Sequence, residues 1–162
     1  MDKTCCFIGH RNINETEALK TALCETMETL ITHNGVDRFL FGSKSRFNDL
    51  CYGIVSDIKK KYPHIRRIYV RAEFPNISES YEEYLSGWFE ETYYPERIVG
   101  AGRAVYAERN FEMIDKSDYC LFYCNEEFLP STRKSGTKIA LDYAKRNNKK
   151  LIVFSRILGG RK

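Results

Sequence analysis

"DYCLFYCNEEFLPSTRKSGTKIALDYAKRNNKKLIVF", residues 118–154, decides how this chain folds. It opens with the apolar run YCLFY (119–123) and closes with LIVF (151–154). Between them the small-residue turn Ser135-Gly136-Thr137 leads into TKIALDYAKRN, whose apolar residues recur at helical intervals. A short, continuously apolar run bounded by turn residues reads as a strand buried on both faces. The stretch is therefore strand, helix, strand.

The pattern extends outward to the N-terminus. TCCFI (4–8) is a buried-strand candidate ended by Gly9. Asn14 is placed to cap a helix, with Glu17 as its box partner. Ala18, Leu19, Ala22, Leu23, Met27, Leu30 and Ile31 follow at helical spacing, and Asn34-Gly35 supplies a left-handed stop. RFLF (38–41) makes a second strand, ended by Gly42. FNDLCYGIVSDIKKKY (47–62) makes a second helix, and RRIYVRA (66–72) a third strand. From Ser80, the residues Tyr81, Tyr84, Leu85, Trp88 and Phe89 predict a buried face of an amphipathic helix, closed by Pro95. A last helical stretch surrounds AERNFEMIDKS (107–117). Apolar strands alternating with helix-length segments predict an α/β fold. It is Rossmann-like and doubly wound, a mainly parallel sheet of about five strands with helices on both faces. The expected organisation is a single domain over 1–162, with an aromatic helical insertion at about 77–95.

Bulk composition agrees with a packed globule. The 162 residues are 43% hydrophobic and 14% aromatic, against the composition of a disordered chain. No stretch approaches the roughly 18 apolar residues of a membrane span. The first apolar run is too short for a signal-peptide core, so the expectation is a cytoplasmic protein. Six cysteines, at 5, 6, 24, 51, 120 and 124, form no CxxC pair. They lack the spacing of zinc ligands and read chiefly as small core hydrophobes. No metal or cofactor is expected. The net charge of +4 is uneven. Lys145, Arg146, Lys149, Lys150, Arg156, Arg161 and Lys162 follow the last acid, Asp142, and leave 19 basic against 22 acidic groups elsewhere, or −3. Basic residues at a helix C-terminus suit its dipole, so nucleic-acid binding is a lesser expectation than a solvated face.

In an open α/β sheet, ligands bind outside the carboxyl ends of the strands. That rule selects Gly9-His10-Arg11, Gly42-Ser43-Lys44-Ser45, Ala72-Glu73-Phe74-Pro75 and Ser135-Gly136-Thr137. Small residues at a helix start let backbone N–H groups approach an anion, and the helix terminus adds about half a positive charge. Neither GxGxxG nor GxxxxGK[ST] is present, which disfavours ordinary dinucleotide or P-loop binding. Arg11 suits a planar anion such as phosphate. His10 has two readings, a structural hydrogen-bonder or a base.

The segments CCFIGHR (5–11), FGSKSRFNDLCYGIVSDIKKKYPHI (41–65), ETYYPERI (91–98), AERNFEMIDKSDYCLFY (107–123) and SGTKIALDYAKRNNKKLIVF (135–154) occur in one order. Together they resemble the SLOG superfamily, in its YpsA-like branch of small standalone proteins. The resemblance implies a Rossmann-like fold and a nucleotide or nucleotide-derived ligand. It also implies kinship with the cytokinin-activating LOG phosphoribohydrolases and the DNA-processing protein DprA. On it, Arg109, with Asn110 beside it, matches the LOG arginine. Gly136-Thr137 matches the end of the LOG glycine turn, with Ser135 in place of a second glycine. The catalytic glutamate has no match, because its position is Ala140 and the nearest acid on that helix is Asp142. The second strand's usual Gly-Gly-Ala reads Gly42-Ser43-Lys44.

The function expected from residues and resemblance together is ligand binding or sensing without LOG-type hydrolysis. The expected ligand-binding residues are Gly9, His10, Arg11, Gly42, Ser43, Arg109, Asn110, Ser135, Gly136 and Thr137. A nucleotide hydrolase using Asp142, Glu73 or His10 as base is the alternative, followed by a nucleic-acid-binding or partner-binding scaffold. The aromatic-rich segment from Tyr81 to Tyr94 is expected either to cover a sheet edge or to pair two subunits as a homodimer.

Overall fold

The deciding stretch folds as a strand, a helix and a strand in parallel. The computed structural model describes residues 2–125, 135–155 and 160–161. The strands are β1 (Lys3–Gly9), β2 (Val36–Phe41), β3 (Arg66–Val70), β4 (Glu91–Tyr93), β5 (Tyr119–Tyr123), β6 (Lys150–Ser155) and β7 (Gly160–Arg161). The helices are α1 (Glu17–Asn34), α2 (Arg46–Lys59), α3 (Glu79–Ser86), α4 (Val105–Asp115) and α5 (Gly136–Arg146). One sheet runs in the order β4-β3-β2-β1-β5-β6-β7. Every neighbouring pair is parallel except β6 and β7. This is an α/β, Rossmann-like sheet. The chain winds outward from β1 to β4, then returns to pair β5 on the other side of β1. The switch point therefore lies between β1 and β5.

The alternation of side chains along β1 divides the core. Cys5 and Phe7 face α1 and α2, with Leu19, Leu23, Met27, Phe47, Cys51 and Val55. Phe7 stacks on Phe39 and Phe41 there, with centroids 5.9 and 5.0 Å away. Cys6 and Ile8 face α4 and α5, with Met113, Ile114, Ala140, Leu141 and Ala144. On α5 the buried residues Thr137, Ala140, Leu141 and Ala144 fall at i, i+3, i+4 and i+7, the stripe an amphipathic helix lays on a sheet. Removing a ring such as Phe7 from this interior costs about 3–5 kcal/mol. All the cysteines except the half-buried Cys24 are buried.

Four helix starts are capped by a hydroxyl. Thr16, Ser45, Ser78 and Ser135 accept from the backbone N–H three residues on, each worth about 1 kcal/mol. Helix α1 thus starts two residues later than Asn14 predicts. It stops where expected, with Gly35 left-handed at φ 71°.

The sheet has seven strands rather than about five, because β4 and β7 carry no apolar run. β4 lies inside the segment expected to be helical from 77 to 95. α3 ends at Ser86, and Glu91–Tyr93 add to the β3 edge. The expected aromatic face is not buried as a face. Leu85 is buried, while Tyr84 and Trp88 are 60% and 49% exposed. Trp88 and Phe89 lie in the turn after the helix and so lose its register. Among the described residues no helix is long and apolar enough to cross a membrane.

Candidate functional site

The carboxyl ends of β1, β2 and β3 and the start of α5 meet around one cavity of about 620 Å³. This is within the usual ~300–1,000 Å³ range of small-molecule sites. All ten residues expected to bind a ligand line it. They are Gly9, His10, Arg11, Gly42, Ser43, Arg109, Asn110, Ser135, Gly136 and Thr137. Glu73 also lines it; Asp142 does not.

Arg109 is the electrostatic centre. Helix α4 packs beneath the sheet edge and sends the guanidinium up between β2 and β3. There Nη1 donates to the carbonyls of Gly42 (2.7 Å) and Val70 (3.4 Å), and Nε donates to Asn110 Oδ1 (3.1 Å). The side chain fills the space a β-carbon on Gly42 would need, with Arg109 Cδ only 2.9 Å from that position. Arg109 is 4% exposed. Burial draws its pKa below the ordinary value, and Tyr69, Tyr106 and Glu73 offset part of that. An arginine stays protonated even so. Its hydrogen-bond partners among the described residues are all neutral. A buried charge whose hydrogen bonds go only to neutral groups is costly even with the Glu73 carboxylate in its field, and an anion hydrogen-bonded to it is favoured by about 1.5–3 kcal/mol.

The other wall is the start of α5. Ser135 Oγ accepts from the amide of Lys138, and Ser135 O accepts from Ile139. The amides of Gly136 and Thr137 have no hydrogen-bond acceptor among the described residues, so two donors remain at the positive end of the helix. A β-carbon on Gly136 would meet nothing within 4 Å. The connection before it, residues 126–134 with Lys134 of the KSGT turn, lies outside the described residues.

The other expected residues divide by what holds them. The Gly42 amide donates to Asn48 Oδ1 (3.2 Å), which satisfies it within the protein. The donor expected there is spent. Ser43 Oγ and Ser45 Oγ are 3.1 Å apart at the start of α2. Gly9 is a glycine because Phe47 crowds it: a β-carbon there would lie 2.4 Å from the ring. His10 Nε2 accepts from the amide of Asn125 (2.9 Å), and His10 N donates to Tyr123 O (3.2 Å). The imidazole thus ties the end of β1 to the end of β5, and Nε2 already has its proton donor. Arg11 is exposed at the rim, and its carbonyl accepts from Arg46 N.

Of the candidate bases, Asp142 pairs with Lys138 (3.0 Å) one turn back on α5, outside the cavity. Ala140 is 1% exposed in the core under α5. Glu73 faces the cavity but is bound to Lys44 (3.1 Å) and accepts from the Tyr106 hydroxyl (3.3 Å).

Sequence reasoning missed Tyr69 and Tyr106, which also line the cavity. Tyr106 precedes Arg109 by three residues on α4, and its ring lies 5.9 Å from the guanidinium. That i, i+3 spacing was the available signal. The basic surface is partly committed to structure. Lys149 Nζ donates to the carbonyls of Asp115 and Ser117, and Lys150 and Arg146 lie over the Tyr119 and Tyr143 rings. Arg156 and Lys162 of the tail lie outside the described residues.

No family model matches the chain, and the search of curated proteins gives no significant match. Among solved structures, the X-ray structure of TM1055, a structural-genomics target, aligns with a TM-score of 0.55. The alignment covers 92% of this chain and 72% of that one at 13% sequence identity. The likeness is one of fold.

Proposed function

We propose that this chain binds or senses a nucleotide or nucleotide-derived molecule, held by its anionic group at the carboxyl edge of the sheet. The observation that carries the reading is Arg109, a buried guanidinium with only neutral partners among the described residues, lining a cavity beside the switch point. The two α5 amides support it as the second anion-attracting wall. The motif order that resembles the SLOG superfamily and its YpsA-like branch supports a nucleotide over other anions.

On this reading the protein acts in the cytoplasm and carries out no LOG-type hydrolysis. Position 140 holds an alanine packed in the core, and Asp142 is held by Lys138 outside the cavity. A missing general acid/base removes about 10²–10⁴-fold of rate.

A thermal-shift and calorimetry screen of mononucleotides, ADP-ribose, cyclic ADP-ribose and NAD tests the reading. At least one binds below millimolar, and Arg109→Ala weakens it about tenfold to a hundredfold, the loss of a charge-assisted hydrogen bond. Because Arg109 also satisfies two carbonyls, Arg109→Lys accompanies it. That variant keeps the charge, loses the fork and binds between the two. No binder, or one indifferent to both variants, sinks the reading. Chromatography of the same mixtures shows intact ligand. Product formation abolished by Glu73→Gln would instead establish the hydrolase alternative.

A further inference from the structure

The cavity is not uniformly cationic, and the one carboxylate among its described lining residues, Glu73, is held from two sides. The loop after β3, Ala72–Pro75, is fixed from behind by Arg71, which is 7% exposed. Arg71 Nε donates to Phe74 O (3.0 Å), Nη1 to Thr92 Oγ1 (3.1 Å) and Nη2 to Pro75 O (3.4 Å). A buried arginine thus spends its donors on locking a four-residue rim loop to β4. In front, Glu73 is oriented by two side chains that also line the cavity. Lys44 Nζ lies 3.1 Å from Oε1 and 3.4 Å from Oε2, and the Tyr106 hydroxyl donates to Oε1 at 3.3 Å.

An ionised carboxylate offers about four acceptor positions, so these contacts leave capacity on Oε2, with the side chain 32% exposed. A surface ion pair alone contributes only about 0–1 kcal/mol and needs no buried arginine behind it. A carboxylate in an anion site repels the anion unless the ligand also presents donors. A single hydroxyl donor suits the position left on Oε2, and the donor that accompanies a phosphate in a nucleotide is a ribose hydroxyl.

Resting on the nucleotide reading, we propose that Glu73 is a specificity-determining residue. Its Oε2 accepts a hydrogen bond from the ribose 2′-hydroxyl, so the site takes ribonucleotides and rejects their 2′-deoxy and 2′-phosphorylated forms. Rejection differs in kind between the two. The deoxy sugar leaves an acceptor unmet, and the 2′-phosphate sets like charges together.

The test is calorimetry of adenosine 5′-monophosphate, its 2′-deoxy analogue, its 2′-phosphorylated analogue and inosine 5′-monophosphate against the wild type and Glu73→Gln. Thermal unfolding confirms that the variant is folded. The wild type is expected to prefer the ribonucleotide over the deoxy form by about tenfold or more, the usual worth of a hydrogen bond to a charged group. Glu73→Gln narrows that gap to under about threefold and tightens the 2′-phosphorylated ligand. A ribose preference that is absent, or that survives in the variant, overturns the inference and leaves the anion site standing. A variant that loses affinity for the two adenine nucleotides alike and not for inosine 5′-monophosphate shows Glu73 reading the base amine, which also overturns it. If neither these four nor ADP-ribose, cyclic ADP-ribose or NAD binds the wild type while a non-nucleotide anion does, the nucleotide reading fails, and the inference with it.

Discussion

Arg109 occupies the place a side chain at position 42 would take, so the two residues act as one unit. A β-carbon on Gly42 would sit 2.8 Å from Met113 Sδ and 2.9–3.0 Å from Arg109 Cδ and Nε. Gly42→Ala must therefore displace a guanidinium pinned by two carbonyls. The expected cost is about 1–3 kcal/mol, the usual range for overpacking, read as a lower urea midpoint with weaker anion binding alongside. Gly136→Ala is the contrast. Its β-carbon meets open space, so stability stays within about 1 kcal/mol of the wild type. Equal destabilisation by the two substitutions would contradict this account of the rim. The glycines were visible in the sequence. What each one makes room for was not, because Arg109 is 67 residues away from Gly42, and Phe47 reaches Gly9 from another element.

Among the elements, β4 shows what a short edge strand needs. Its residues Glu91, Thr92 and Tyr93 have no apolar alternation, so periodicity assigned them to the preceding helix. Paired charges hold the edge instead. Arg66 meets Glu91 at 2.8 Å, and Arg67 meets Glu90 through Nη2 (2.7 Å), Nε (3.1 Å) and its own amide (2.7 Å). Partial burial pushes the Glu90 carboxyl up, but the Arg67 hydrogen bonds outweigh it and hold the group below its ordinary value. The stability it contributes is therefore present above the unfolded carboxyl value, about 4.3, and is lost as pH falls through the lower folded value. Glu90→Gln should show a shallower loss of urea stability on acidification below about pH 4 than the wild type. Identical acid slopes would remove Glu90 from the account. The longer elements were legible because each buries a stripe or a run. The starts of β1, β5, α2 and α5 follow from hydrophobic pattern, whereas the first helix's cap fell on Thr16 rather than Asn14 through local backbone geometry.

At the scale of the whole molecule, strand order makes the site. Only because β5 returns beside β1, opposite β2 and β3, do the loops after three strands and the start of α5 face one cavity. Sequence pattern gives parallel strands and places the loops that follow them at the carboxyl edge. The distances between those loops are tertiary facts. The exclusion of Asp142 is local instead, since its spacing on α5 pairs it with Lys138 one turn back. The positive end of α5 and the buried arginine face the same space from different sides, while much of the described basic surface near α5's far end is occupied by carbonyls and rings.

The direct test is a ¹H–¹⁵N correlation spectrum of the labelled protein, titrated with adenosine 5′-monophosphate, that follows backbone amides and arginine Nε–H signals. The account predicts concerted, saturable shifts at Gly136, Thr137, Ser43 and the Arg109 side chain. Saturable shifts confined to Lys145–Lys150, or an unmoved Arg109 while Gly136 responds, would contradict a single anion site at the sheet edge.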